Sequence, residues 1–221
     1  MNYLKRLQVL TFILLLGSFG CATVQPVDYS LYRQQRPKTI LVLPPLNRSN
    51  DVRATYSYLS TVTHPIAEKG YYVFPVAVID QMMKENGLPT PGEMHQASLA
   101  KINEIIHPDA VLYITIDEYG STYQVVSQSI QVGVSARLVS ARDGAVLWEG
   151  RSHVLVVPDQ GGQAGLLGLL ISSALHQVLH SSSDSAHDVC RAANHQLFEL
   201  EGRGLLPGPY LPDFAQTSQG Q

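Results

Sequence analysis

From Ile130 the chain alternates strictly. Ile130, Val132, Val134, Ala136 and Leu138 are apolar, and Gln131, Gly133, Ser135 and Arg137 stand between them. Successive side chains of a strand point to opposite faces, so this pattern demands a strand with one buried and one wet face. Asp143-Gly144 then supplies a hairpin turn. Residues 145–157 return with Val146, Trp148, Val154 and Val156 in phase. The result is an antiparallel meander, and whatever else the chain does it must cover the meander's apolar face. Residues 110–116, a dense aliphatic run just ahead, form another strand.

The first half reads differently. Thr39-Ile40-Leu41-Val42-Leu43 is a continuous apolar run stopped by Pro44-Pro45, the pattern of a strand buried on both faces. A helix is expected from Val52 towards Thr63, interrupted at Pro65 because proline brings no amide donor, with Gly70 at a left-handed helix end. Tyr71-Tyr72-Val73-Phe74 reads as a strand. Pro75 opens a helix in which Val76, Ile79, Met82 and Met83 recur until Gly87. Residues 88–92 form a proline-bounded loop, and a helix with Leu99, Ile102, Ile105 and Ile106 on one side stops before Pro108. Strands alternating with helices imply parallel pairing. The fold class is therefore α/β (α+β): a mixed sheet with an antiparallel meander, helices on both faces and two C-terminal helices.

The first of those two helices, residues 163–180, is apolar nearly all round and must be buried by something. Ala164, Gly168 and Ser172 place small residues at every fourth position, a spacing that lets helices approach closely. Either a central core position or an interface satisfies it. As an interaction surface its residues are Gly165, Gly168, Leu169 and Ser172. The second helix opens with Ser185 and Asp188 in capping-box spacing and carries Ala186, Val189, Cys190, Ala193, Leu197 and Leu200 as one stripe. Cys190 lies inside that stripe and reads as an inert buried thiol.

The amino terminus sets the compartment. Lys5 and Arg6 precede the uncharged run 7–16, which ends at Gly17-Ser18-Phe19-Gly20-Cys21. This is the layout of a secretory signal, and its apolar core falls short of the ~20 residues that span a bilayer. A small residue directly before cysteine resembles a lipobox, in which Cys21 is lipidated and becomes the first mature residue; Ser18 stands where a leucine is usual. Domain boundaries follow: 1–20 signal peptide, 21–37 lipidated cysteine and tether, 38–209 a single periplasmic domain, 210–221 a flexible tail. The mature chain keeps 201 of 221 residues, with 13 bases against 18 acids and no basic patch for nucleic acid.

Candidate chemistry is sparse. His176 and His180 lie one helical turn apart, a zinc-site spacing, and His187 and His195 could add ligands if the two helices pack suitably. Gln177 stands where a metalloprotease carries its glutamate base, so no metal site is assigned. Gly162, Gly165 and Gly168 lack the Lys-Ser or Lys-Thr of a phosphate loop, and no Gly-x-Ser-x-Gly elbow occurs. Asp117-Glu118 reads as a solvated strand end, and Glu149, Arg151 and His153 as a charged row on the wet face of the last strand. No catalytic residue, cofactor or small-molecule substrate is indicated.

Five blocks resemble a known family. They are residues 44–47 (Pro-Pro-Leu-Asn), 65–76 around Gly70-Tyr71-Tyr72-Val73-Phe74-Pro75-Val76, 109–114, 138–150 with Asp143-Gly144 ahead of Leu147-Trp148-Glu149-Gly150, and Leu205-Leu206-Pro207-Gly208-Pro209. Together they are similar to the uncharacterised bacterial lipoproteins related to the meningococcal GNA-type antigen, from about Pro37 to Pro209. His107-Pro108 departs from that pattern, where Gly-Ala is expected. The resemblance implies a non-enzymatic lipoprotein on the periplasmic face of the outer membrane, with an α/β fold akin to the amino-terminal domain of TolB and the periplasmic part of CsgG. It implies an assembly or partner role beside a CsgG-type envelope lipoprotein or as a homo-oligomer. Ala22 after the lipid cysteine is compatible with outer-membrane sorting. A periplasmic ligand-binding protein or hydrolase is the alternative reading.

Overall fold

A computed structural model describes residues 27–123, 128–156 and 185–211. In chain order these form α1 (Ser30–Gln35), β1 (Thr39–Val42), β2 (Leu46–Asn47), α2 (Ala54–Glu68), β3 (Tyr72–Val73), α3 (Val76–Glu85), α4 (Pro91–Gln96), α5 (Leu99–Ile106), β4 (Ala110–Tyr123), β5 (Gln128–Ser140), β6 (Val146–Val156) and α6 (Ser185–Phe198). The strands make one mixed sheet in the order β3-β1-β4-β5-β6, with β2 pairing β4 as well. β1 is parallel to β3 and β4, and β2 is parallel to β4. β4, β5 and β6 are the antiparallel meander read from the alternation.

Two apolar clusters share the strands. Ile40 and Val42 pack with the buried residues of α2 and α6, among them Tyr58, Val62, Ile66, Val189 and Phe198. Leu41 and Leu43 pack with Ile79, Met83, Met94 and Ile102, from α3, α4 and α5. Consecutive residues of β1 thus alternate between the clusters, as the pleat requires. Ile130, Val132, Val134, Ala136 and Leu138 are all buried in the first cluster, so the alternating pattern does mark the covered face of the meander. Trp148 is the largest side chain there. Its ring packs tilted against Phe198 with centroids 5.9 Å apart, and its indole N–H donates to the carbonyl of Arg203 at 2.7 Å.

Several boundaries differ from the expectation. α2 runs through Pro65 to Glu68 rather than stopping there. Proline removes one main-chain bond, but Pro65 and Ile66 are buried against the core and tertiary packing outweighs that loss. Within the stretch expected to be a tether, α1 forms and seats Tyr32 in the core at 3% exposure. Inside the expected loop 88–92, Thr90 caps α4 through a full capping box with Glu93. Leu200 lies past the end of α6 and is exposed, and Phe198 fills the core in its place; Ile105 is likewise exposed. Cys190 is buried, as its stripe implies. Residues 163–180 lie outside the described residues, among which α6 is the one C-terminal helix.

The two ends of the described domain are sewn together by tyrosines. Tyr29 donates its hydroxyl proton to the carbonyl of Gly204 at 2.6 Å, and Tyr71 donates to that of Leu206 at 2.6 Å. Having spent its proton there, the Tyr71 oxygen accepts from Tyr32 at 2.6 Å. Burial pushes both hydroxyls up from the ordinary phenol value, so this chain of bonds keeps its protons. Gly208 N–H reaches Lys69 O and Tyr210 N–H reaches Gly70 O.

His107 ends α5 in the left-handed region at φ 55°. Glycine occupies that position without the clash of a Cβ. His107→Gly should therefore raise stability by about 0.5–1 kcal/mol, the relief of a left-handed Cβ less the extra chain entropy of glycine when unfolded, read as a higher urea midpoint at unchanged slope. An unchanged or lower midpoint would show that the left-handed histidine carries no such cost here.

Candidate functional site

The wet face of the meander and the loop after β2 meet in a shallow depression of about 500 Å3, lined by Arg48, Asp51, Asp117, Tyr119, Ser121 and Gln131 among others. Its geometry comes from a register shift. β4 and β5 pair residue for residue up to Ile116 and Val134, then resume at Glu118 and Gly133. Such a bulge adds a residue to one strand and re-aims its side chains. Here it leaves two successive residues, Asp117 and Glu118, both exposed. They are not at a strand end as the sequence reading had it, because β4 continues to Tyr123.

Most charges around the depression are engaged with one another. Asp117 accepts from Ser135 Oγ at 3.1 Å and faces Arg48 at 3.5 Å. Asp51 pairs with Arg53 at 2.7 Å, and the guanidinium holds its carboxyl below the usual carboxylate range. Glu118 meets His153 of β6 at 2.8 Å, reaching across β5. That reach depends on Gly133, which lies between them in the ladder; a Cβ there would sit 3.3 Å from the imidazole and 3.4 Å from Glu118 Cβ. The charged row expected along β6 is thus realised at His153 as a pair with β4.

Behind the depression, Tyr119 donates its hydroxyl proton to Ser57 Oγ at 2.7 Å, and Ser57 Oγ lies 3.2 Å from His187 Nδ1. This brings a serine and a histidine together from α2 and α6, a juxtaposition the sequence reading did not find. As a nucleophile, Ser57 would need nearby amides to hold an oxyanion. It lies within α2, where main-chain amides bond along the helix, its own to Arg53 O at 3.0 Å. Its geometry is that of a bond tying α2, α6 and β4. His95, half-buried, bonds through Nε2 to the carbonyl of Pro44 at 2.9 Å, and burial lowers its proton affinity from the ordinary imidazole value.

The other candidates fall apart or out of view. His187 and His195 are two turns apart on α6, and His195 pairs with Glu199 at 3.1 Å. Among the described residues no group of three or more His, Cys, Asp or Glu is placed to hold a metal ion. Cys21, Gly165, Gly168, Leu169, Ser172, His176 and His180 lie outside the described residues.

If Gly133 governs the reach of His153 to Glu118, the pair vanishes once a side chain fills the gap. His153→Ala should cost about 0.5–1 kcal/mol in the natural chain and nothing measurable in a Gly133→Val background, by urea titration of all four proteins. Equal costs in both backgrounds would remove Gly133 from the account.

Comparison with known proteins meets this geometry at the level of family. A family model described as "Putative lipoprotein GNA1162-like" matches residues 27–210. The chain is 36% identical over 201 residues to a lipoprotein designated NMB1124/NMB1162 from Neisseria meningitidis serogroup B, covering 90% of this chain and 93% of that one. The crystal structure of lipoprotein GNA1162 from Neisseria meningitidis superposes with a TM-score of 0.55 at 41% identity, over 66% of this chain and all of that one. A PelC dodecamer from Paraburkholderia phytofirmans shows a weaker likeness, TM-score 0.44 at 14% identity over 72% and 84% of the two chains, which carries no inference. With the match spanning nearly all of the described domain, the chain belongs to the GNA1162-like lipoprotein family.

Proposed function

We propose that this protein is a non-catalytic lipoprotein, anchored through lipid on Cys21 to the periplasmic face of the outer membrane, that acts as an assembly or partner component of a CsgG-type envelope or secretion complex. The observation that carries the reading is a lipoprotein-family match over residues 27–210, directly behind a basic head, an apolar run and a Gly20-Cys21 junction. The depression supports the non-catalytic part. Asp51, Asp117 and Glu118 are engaged with neighbouring side chains, and Ser57 is spent on a helix-to-sheet bond. The helix proposed at 163–180, through Gly165, Gly168, Leu169 and Ser172, is the partner or self-association surface in this reading. Small residues there let another helix approach closely.

Two measurements test it. Cells fed an alkyne palmitate should label the natural chain in the outer-membrane fraction, and Cys21→Ser should abolish the label; label retained on the variant would refute Cys21 as the anchor. Crosslinking of the full-length protein in its own cells should recover a defined homo-oligomer or a second envelope lipoprotein. Gly168→Leu should lower that mass. A monomer in the natural protein, or an unchanged mass in the variant, would count against the assembly role and its surface respectively.

A further inference from the structure

A lipid on Cys21 would limit how far one end of the domain can stand from the bilayer. Cys21 and Val27 are six peptide links apart, a span of at most about 20 Å even fully extended. Val27 is partly buried against the main core, so it moves with the domain. The end of the domain that holds Val27 is therefore kept within that reach of the bilayer. β4, by contrast, is 14 residues long, on the order of 45 Å from end to end. Only the end that holds Val27 is bound by that limit, and the far end of β4 is free of it.

Three large apolar side chains stand exposed at the Val27 end: Leu31 at 43%, Leu200 at 46% and Tyr210 at 62%. Hydrogen bonds place all three there. Leu31 follows Tyr29, whose hydroxyl binds Gly204 O, and Gly204 N–H in turn binds Leu200 O at 2.7 Å. Tyr210 N–H binds Gly70 O beside Tyr71, and the Tyr71 hydroxyl meets that of Tyr32 in α1. Arg33, Arg36 and Arg203 are exposed on the same elements. Aliphatic and aromatic side chains backed by arginine suit the boundary between headgroups and acyl chains.

Resting on the lipid anchor at Cys21, we propose that the corner built by α1 and residues 200–211 is a membrane-docking surface, with Leu31, Leu200 and Tyr210 set into the lipid interface. The depression along Asp117 and Ser121 and the β4–β5 hairpin then point away from the bilayer, towards the periplasm. Val52, 89% exposed on the rim of that depression, is an apolar side chain at the opposite position and serves as the control.

Nitroxide labels on Leu31→Cys, Leu200→Cys, Tyr210→Cys and Val52→Cys of the full lipidated chain decide the matter, in vesicles of phosphatidylethanolamine and phosphatidylglycerol. Cys190 is buried, and the chain without an added cysteine should stay unlabelled. Accessibility to an aqueous nickel chelate should be several-fold lower, and to oxygen higher, at the first three positions than at Val52. Equal values at all four overturn the docking surface. Shielding that disappears when the protein is diluted to one copy per vesicle also overturns it, because a second copy rather than lipid would be the cover. Flotation with the vesicles is read in the same samples: protein that floats with equal accessibilities defeats the docking surface alone, whereas protein that fails to float defeats the anchor and the surface together.

Discussion

Everything in this domain hangs on β4 pairing in opposite senses along its two edges. On one edge it is parallel to β1 and then, two prolines later, to β2; on the other it is antiparallel to β5 along nearly its whole length. Pro44 and Pro45 have no amide to donate, so the ladder must break there. It closes on either side, with Leu43 N–H on Leu112 O at 3.2 Å and Arg48 N–H on Ile116 O at 2.9 Å. Only after that second bond does β4 bulge against β5. The depression exists because β2 ends where β4 and β5 lose register, leaving Asp117 and Glu118 with no strand beside them on one edge.

The alternation of β5 was legible because one face is covered and one is wet, which writes the period of two into the composition. β1 was legible for the opposite reason, as a run buried on both sides. What escaped notice had either a weak local signal or a tertiary cause. The α4 capping box was present as Thr90-Pro91-Gly92-Glu93, but the prolines around it read as loop. Nothing local shows that α2 should continue through Pro65; the surfaces of β4 and α6 on which it packs come later in the chain. Tyr32 likewise enters the core where Tyr71 receives its hydroxyl, and Tyr71 in turn donates to Leu206 O.

The site was less legible than the fold. Glu118 and His153 are both visible as polar residues on strands, but their meeting depends on a bulge and on a glycine in the strand between them. Ser57 and His187 are 130 positions apart, and no spacing rule relates them. The strongest local signals, the Cys21 junction and the small-residue spacing in 163–180, fall outside the described residues.

The segment after α6 shows how such a chain can close without regular structure. Residues 203–211 form neither helix nor strand, and buried main-chain groups without partners are costly. Side chains and helix-end carbonyls meet that demand: Trp148 takes the carbonyl of Arg203, Tyr29 that of Gly204 and Tyr71 that of Leu206, while Lys69 O and Gly70 O receive the amides of Gly208 and Tyr210. Each of these partners lies at the start of α1, in β6 or just after α2, so the strap can be satisfied only once the sheet and both helices are in place. The amino-terminal helix and the carboxy-terminal strap thereby stabilise each other at one end of the domain. A chain held by lipid a few residues before α1 would carry any pull from the membrane into this seam first, and through Tyr32 and Trp148 into the core, leaving the bulged face of the sheet at a distance.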